Sequence, residues 1–208
     1  MQRKFLLATL AVALAASAPL EATTRATDYP GSVTLLMEIP GVRSDLGLTG
    51  DQSARINLLR HELKSRSKAI VKTADPVPSG LNADQRLFAL IDGNNAKALA
   101  ILSPEQFTRF HEIQNRILSY SMLVSPRVQK QLGLGSKQSA AIEALRVRGL
   151  EFVAEMNRSF GSGTISHKNR VEILRDYRTR QAEEMKSVLT PAQRKAFASL
   201  CGKPLAKG

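Results

Sequence analysis

The chain has 208 residues, no Trp, a single Cys and a formal net charge of +12. That length suits one domain or two small ones, the lone Cys201 excludes an internal disulfide, and the Ala, Leu, Arg, Lys, Gln and Glu content favours helix throughout. The charge is uneven: residues 19–118 hold 12 basic and 11 acidic side chains, whereas residues 119–208 hold 16 and 7, so the second half invites an acidic partner.

Residues 1–22 have the layout of an export signal. Arg3 and Lys4 precede the apolar run from Phe5 to Ala16, and Ala16-Ser17-Ala18 supplies small residues near the expected cleavage point. The apolar run is too short for a transmembrane helix, and no later stretch has the length to span a bilayer. The mature chain is therefore expected in the periplasm or another extracytoplasmic space. Residues 23–33 are polar and irregular, and form a lead-in.

A first helical unit is expected over residues 34–120. Leu35-Leu36-Met37 and Pro40-Gly41-Val42 lead to Leu46-Gly47-Leu48 and then to Thr49 and Gln52. Leu, a small capping residue, two variable positions and Gln form a capping box. The cap hydroxyl accepts from the backbone N–H three residues on, and the Gln side chain reaches back to the cap N–H. The cap side chain contributes roughly 1 kcal/mol. The motif recurs at Leu102, Ser103 and Gln106, at Leu134 and Gln138, and at Leu189, Thr190 and Gln193. In the third copy Gly135 stands where the others have Thr or Ser, so the cap side chain is missing.

The first box opens a helix with Ile56, Leu59, Leu63 and Ile70 on one face, ended by the breaker run Asp75-Pro76-Val77-Pro78-Ser79-Gly80. Asn82 and Gln85 cap a middle helix, in which Asp92-Gly93-Asn94-Asn95 predicts a kink or break. The third helix starts at Ser103-Pro104 and presents Phe107, Phe110, Ile113 and Ile117. A shift of 86 residues then returns the same text over a second unit, residues 121–204. Pro40 meets Pro126, Val42 meets Val128, Leu46-Gly47-Leu48 meets Leu132-Gly133-Leu134, and Gln52-Ser53-Ala54 meets Gln138-Ser139-Ala140. Identities at one constant offset indicate internal duplication. The second copy offers Ile142, Leu145, Phe152 and Met156, then Val171, Leu174, Tyr177 and Met185, then Phe197 and Leu200. No strand pattern competes, so the expected fold is all-α: two tandem three-helix units packed as an intramolecular pseudo-dimer.

Four such motifs after a signal peptide resemble the LTxxQ-motif (Spy/CpxP-like) family of exported helical proteins. The resemblance covers most of residues 35–203, and each half of the chain looks like one two-motif member. It implies a non-catalytic, ATP-independent chaperone or stress-response factor that holds unfolded clients, or an envelope partner with an acidic surface, on an apolar and basic face. It also implies a monomer or homodimer.

On that reading the client-binding residues are Arg146, Arg148, Arg170, Arg175, Arg178, Met156 and Phe160: cations for acidic segments, and flexible or aromatic side chains for an adaptable apolar surface. The alternatives are a metal-responsive sensor or scavenger using His61 and His111, each followed by Glu, and a purely structural module. The His pair lacks the i, i+4 spacing of a helical metal site. No catalytic triad motif, nucleophile elbow or phosphate loop is present, so neither enzyme activity nor a cofactor is expected. Nucleic acid is disfavoured, because the basic residues are not interleaved with an aromatic platform.

Overall fold

The structure, a computed structural model, describes residues 32–72 and 83–205, and among these the regular elements are all helical. The export signal, most of the lead-in, the breaker run at 75–80 and the cap residue Asn82 lie outside the described residues. In chain order the helices are α1 (Val33–Leu36), α2 (Val42–Asp45), α3 (Gly50–Lys72), α4 (Ala83–Leu99), α5 (Pro104–Leu118), a 3₁₀ helix (Ser119–Val124), α6 (Pro126–Gln131), α7 (Ser136–Gly161), α8 (His167–Ser187) and α9 (Pro191–Leu200). They divide into two compact units: residues 32–117 with 201–205, and residues 118–200.

In the first unit α3 packs along α4, and α1 packs on both. Val33, Met37, Ile56, Leu63, Leu87, Leu90, Phe110 and Ile113 are buried. The predicted break at Asp92–Asn95 does not occur: α4 runs unbroken from Ala83 to Leu99. The two asparagines are turned inward, and their side chains bond to neighbouring elements rather than to their own backbone. Asn94 Nδ2 donates to Leu59 O at 2.9 Å, and Asn95 Oδ1 accepts from Val33 N at 2.8 Å. With those side chains engaged elsewhere, they no longer compete with the helix. Residues 201–205 also belong to this unit, although the expected second unit, 121–204, takes in residues 201–204. Arg109 Nη2 donates to Pro204 O at 3.2 Å, and Arg116 donates to Gly202 O.

In the second unit α7 packs along α8, and the 3₁₀ helix contacts α6, α7 and α8. Met122, Leu123, Val128, Ile142, Leu145, Val153, Leu174, Met185 and Phe197 are buried. Phe152, expected in the core, is half-buried and stacks on Tyr177 with centroids 4.0 Å apart, while Val153 takes the inward place.

The 86-residue shift recurs in the packing. Leu36 and Met122, Met37 and Leu123, Val42 and Val128, Leu46 and Leu132, and Ile56 and Ile142 are all buried. Gly47 and Gly133 both have φ of 59°, the left-handed turn that redirects the chain into each capping box. Even a changed residue keeps its bond: Arg43 Nε donates to Met37 O at 2.9 Å, and Gln129 Nε2 to Leu123 O at 2.7 Å.

Candidate functional site

The motif glutamines do more than cap. In the first unit Thr49 N donates to Gln52 Oε1 at 3.0 Å, and Gln52 N donates to Thr49 Oγ1 at 3.2 Å. Ser103 and Gln106 repeat this at 2.9 and 3.2 Å. The two glutamines then bond to each other across 54 residues of sequence. Gln52 Nε2 donates to Gln106 Oε1 at 2.8 Å, and Gln106 Nε2 returns the bond at 3.1 Å. Gln52 Nε2 also donates to Ile101 O at 2.9 Å, and Gln106 Nε2 to Gly47 O at 3.2 Å. Each amide thus satisfies its own helix start and a carbonyl leading into its partner's box, tying the start of α3 to the start of α5.

The second unit builds the same lock. Gln138 Nε2 donates to Gln193 Oε1 at 2.7 Å and to Val188 O at 2.9 Å, and Gln193 Nε2 donates to Gln138 Oε1 at 3.1 Å. Thr190 and Gln193 form a full box, at 3.0 and 3.2 Å. At Gly135 only half survives: its N–H donates to Gln138 Oε1 at 3.2 Å, but there is no hydroxyl to answer. Leu189 is buried, and Leu48, Leu102 and Leu134 are half-buried beside the locks. The capping spacing is visible in the sequence; the pairing between motifs is not.

The residues proposed for client binding all lie in the second unit, on α7 and α8. Three of the arginines are engaged by acids: Arg146 with Glu143 at 2.6 Å, Arg148 with Glu184 across the helix pair at 3.0 Å, and Arg175 with Asp176 at 3.3 Å. Arg146 hydrogen-bonds the Glu143 carboxylate and, despite some burial, holds it below the usual carboxylate range. Arg170 and Arg178 have no such partner among the described residues. Arg170 is buried, with its guanidinium carbon 5.2 Å from the centre of the Phe160 ring, and burial pushes its pKa down. Phe160 is 41 % exposed at the end of α7, and Met156, one turn earlier, is half-buried.

The histidines are in unlike settings. His61 is exposed beside Arg60, whereas His111 is buried against Phe107, Phe110 and Gln114. Among the described residues no three His, Cys, Asp or Glu side chains are grouped closely enough to hold a metal. No described helix is long and apolar enough to cross a membrane.

Sequence reasoning missed a groove of about 460 Å³ between α3 and α4, with Ile70 and Leu90 on its walls and Arg66, Arg86 and Lys97 among its lining residues. Its cations come from two helices of a nearly neutral half, so charge counting along the chain gives no signal for it. No family model, no curated protein and no solved structure matches the chain.

Proposed function

We propose that the protein is an exported, non-catalytic binder of other proteins of the LTxxQ (Spy/CpxP-like) type, an ATP-independent chaperone or stress-response factor of the extracytoplasmic space. The observation that carries this reading is the reciprocal glutamine lock. Motifs one and two pair with each other, as do motifs three and four. That is the behaviour expected if each half of the chain is one complete two-motif member, the two halves serving as the internal counterpart of a two-protomer pair.

An apolar side chain left exposed within the second unit adds support: Phe160 is 41 % exposed. Together with the +9 balance of residues 119–208, it offers a non-native chain an apolar contact beside a cationic one. The purified mature protein is expected to suppress aggregation of a chemically denatured client at near-stoichiometric ratio, with suppression weakening as salt rises. Aggregation that proceeds unchanged at every ratio and salt concentration sinks the proposal.

A further inference from the structure

The second unit buries a cation without an acid to balance it. Arg170, in the first turn of α8, is 6 % exposed. Its Nη2 donates to Asn157 Oδ1 at 2.6 Å, while its buried Nε has no acceptor. Taking a charged guanidinium out of water is strongly unfavourable unless a well-placed partner offsets it. Here the described partners are one amide oxygen and the face of Phe160, and neither carries a negative charge.

Three further features make the place more positive. The N-terminal end of α8, capped by the Ser166 hydroxyl accepting from Asn169 N at 3.2 Å, carries the positive end of the helix dipole at the same turn. Lys168 is exposed in that turn. Arg178, two turns along α8, is an exposed second cation on the same helix. Neither Arg170 nor Arg178 forms an ion pair with a described residue, whereas Arg146, Arg148 and Arg175 each do. Beside the charges sits an apolar platform: Phe160 is 41 % exposed, with the His167 ring 5.9 Å from it. A guanidinium with unused donors, a second cation and an exposed ring together suit an oxyanion carried next to apolar groups.

We propose that Arg170, Arg178 and Phe160 form an oxyanion site on the N-terminal part of α8, beside the end of α7, which takes a carboxylate of an acidic peptide segment. The proposal deepens the protein-binding reading above and rests on it.

The test is calorimetric and NMR titration of the purified mature protein, at fixed ionic strength, with three probes: a Glu- and Leu-containing hexapeptide, its Gln counterpart and inorganic phosphate. The acidic peptide is expected to bind saturably and to shift the Arg170 Nε–H resonance, and the Gln peptide to do neither. Losing one charge-assisted bond weakens binding by about tenfold or more, the result expected for both Arg170→Met and Arg178→Gln. Arg55→Gln and Lys186→Gln, whose cations are paired with Asp51 and Glu183 outside the site, are expected to change it by less than about twofold. Because Arg178 is an exposed position, Arg178→Gln carries the test if Arg170→Met fails to fold.

Equal affinity for the Glu and Gln peptides overturns the site, as does full affinity in Arg178→Gln. Saturable phosphate binding without peptide binding overturns the assignment to a peptide. Peptide binding in a protein that suppresses no aggregation leaves the site standing and removes the chaperone reading. Suppression without any peptide effect removes the site alone.

Discussion

The glutamine lock makes a quantitative prediction, because its two halves share bonds. Gln52→Ala deletes four hydrogen bonds: from Thr49 N, to Ile101 O and two with Gln106. Gln106→Ala deletes the bond from Ser103 N, the bond to Gly47 O and the same shared two. At a net value of about 1 kcal/mol per bond, reduced by water entering a half-buried site, each single substitution costs roughly 2–4 kcal/mol. The double substitution removes the shared pair once rather than twice, so its cost falls short of the sum of the singles by about 1–2 kcal/mol. The assay is hydrogen exchange of the α3 and α5 amides in the four proteins of the cycle, which localises the loss to the unit concerned. If the two single effects add to within about 0.5 kcal/mol, the facing amides are not coupled and the reasoning fails.

Three further outcomes follow from the same geometry. Gly135→Thr restores the missing cap hydroxyl at a residue with extended backbone (φ −75°, ψ 163°) and open space around a new Cβ; it is expected to stabilise by a few tenths to about 1 kcal/mol in urea denaturation. Asn95→Ala leaves the Val33 N–H, at a fully buried residue, without its acceptor at 2.8 Å and is expected to cost about 1–3 kcal/mol, read as a lower urea midpoint; an unchanged midpoint refutes this anchoring of α1.

The Glu143 carboxyl, held low by its bond to Arg146, has a folded pKa below its unfolded one. Its contribution is therefore present above the ordinary carboxylate pKa and lost as pH falls through the depressed value. The pair is solvent-exposed, so the effect is under about 1 kcal/mol. In an NMR titration Arg146→Gln is expected to return the Glu143 carboxyl to the ordinary range, and no change speaks against the ion pair.

Much of the fold was legible because it depends on short-range rules. Capping boxes act between residues three apart, so the starts of α3, α5, α7 and α9 stand where Thr49, Ser103, Gly135 and Thr190 place them. Apolar periodicity and the absence of alternating stretches were enough to give the helical elements of the described residues. The 86-residue repeat also set which buried residues correspond, since equivalent positions face equivalent surroundings.

What the sequence alone could not decide are interactions whose partners are far apart in it, unlike the local pairs of Arg146 with Glu143 and Arg175 with Asp176. Asp92-Gly93-Asn94-Asn95 has the composition of a break, and only the approach of α1 and α3 gives those side chains better partners than their own backbone. The pairing of Gln52 with Gln106 spans 54 residues, so no local rule contains it. Arg146, Arg148, Arg170, Arg175 and Arg178 are equal as letters in a basic stretch. Tertiary structure separates them, giving Arg148 the acid Glu184 from the neighbouring helix at 3.0 Å while Arg170 is pressed between Asn157 and Phe160 without one. Charge is a property of the sequence; whether that charge is compensated depends on which side chains the packing brings within a few ångströms of it.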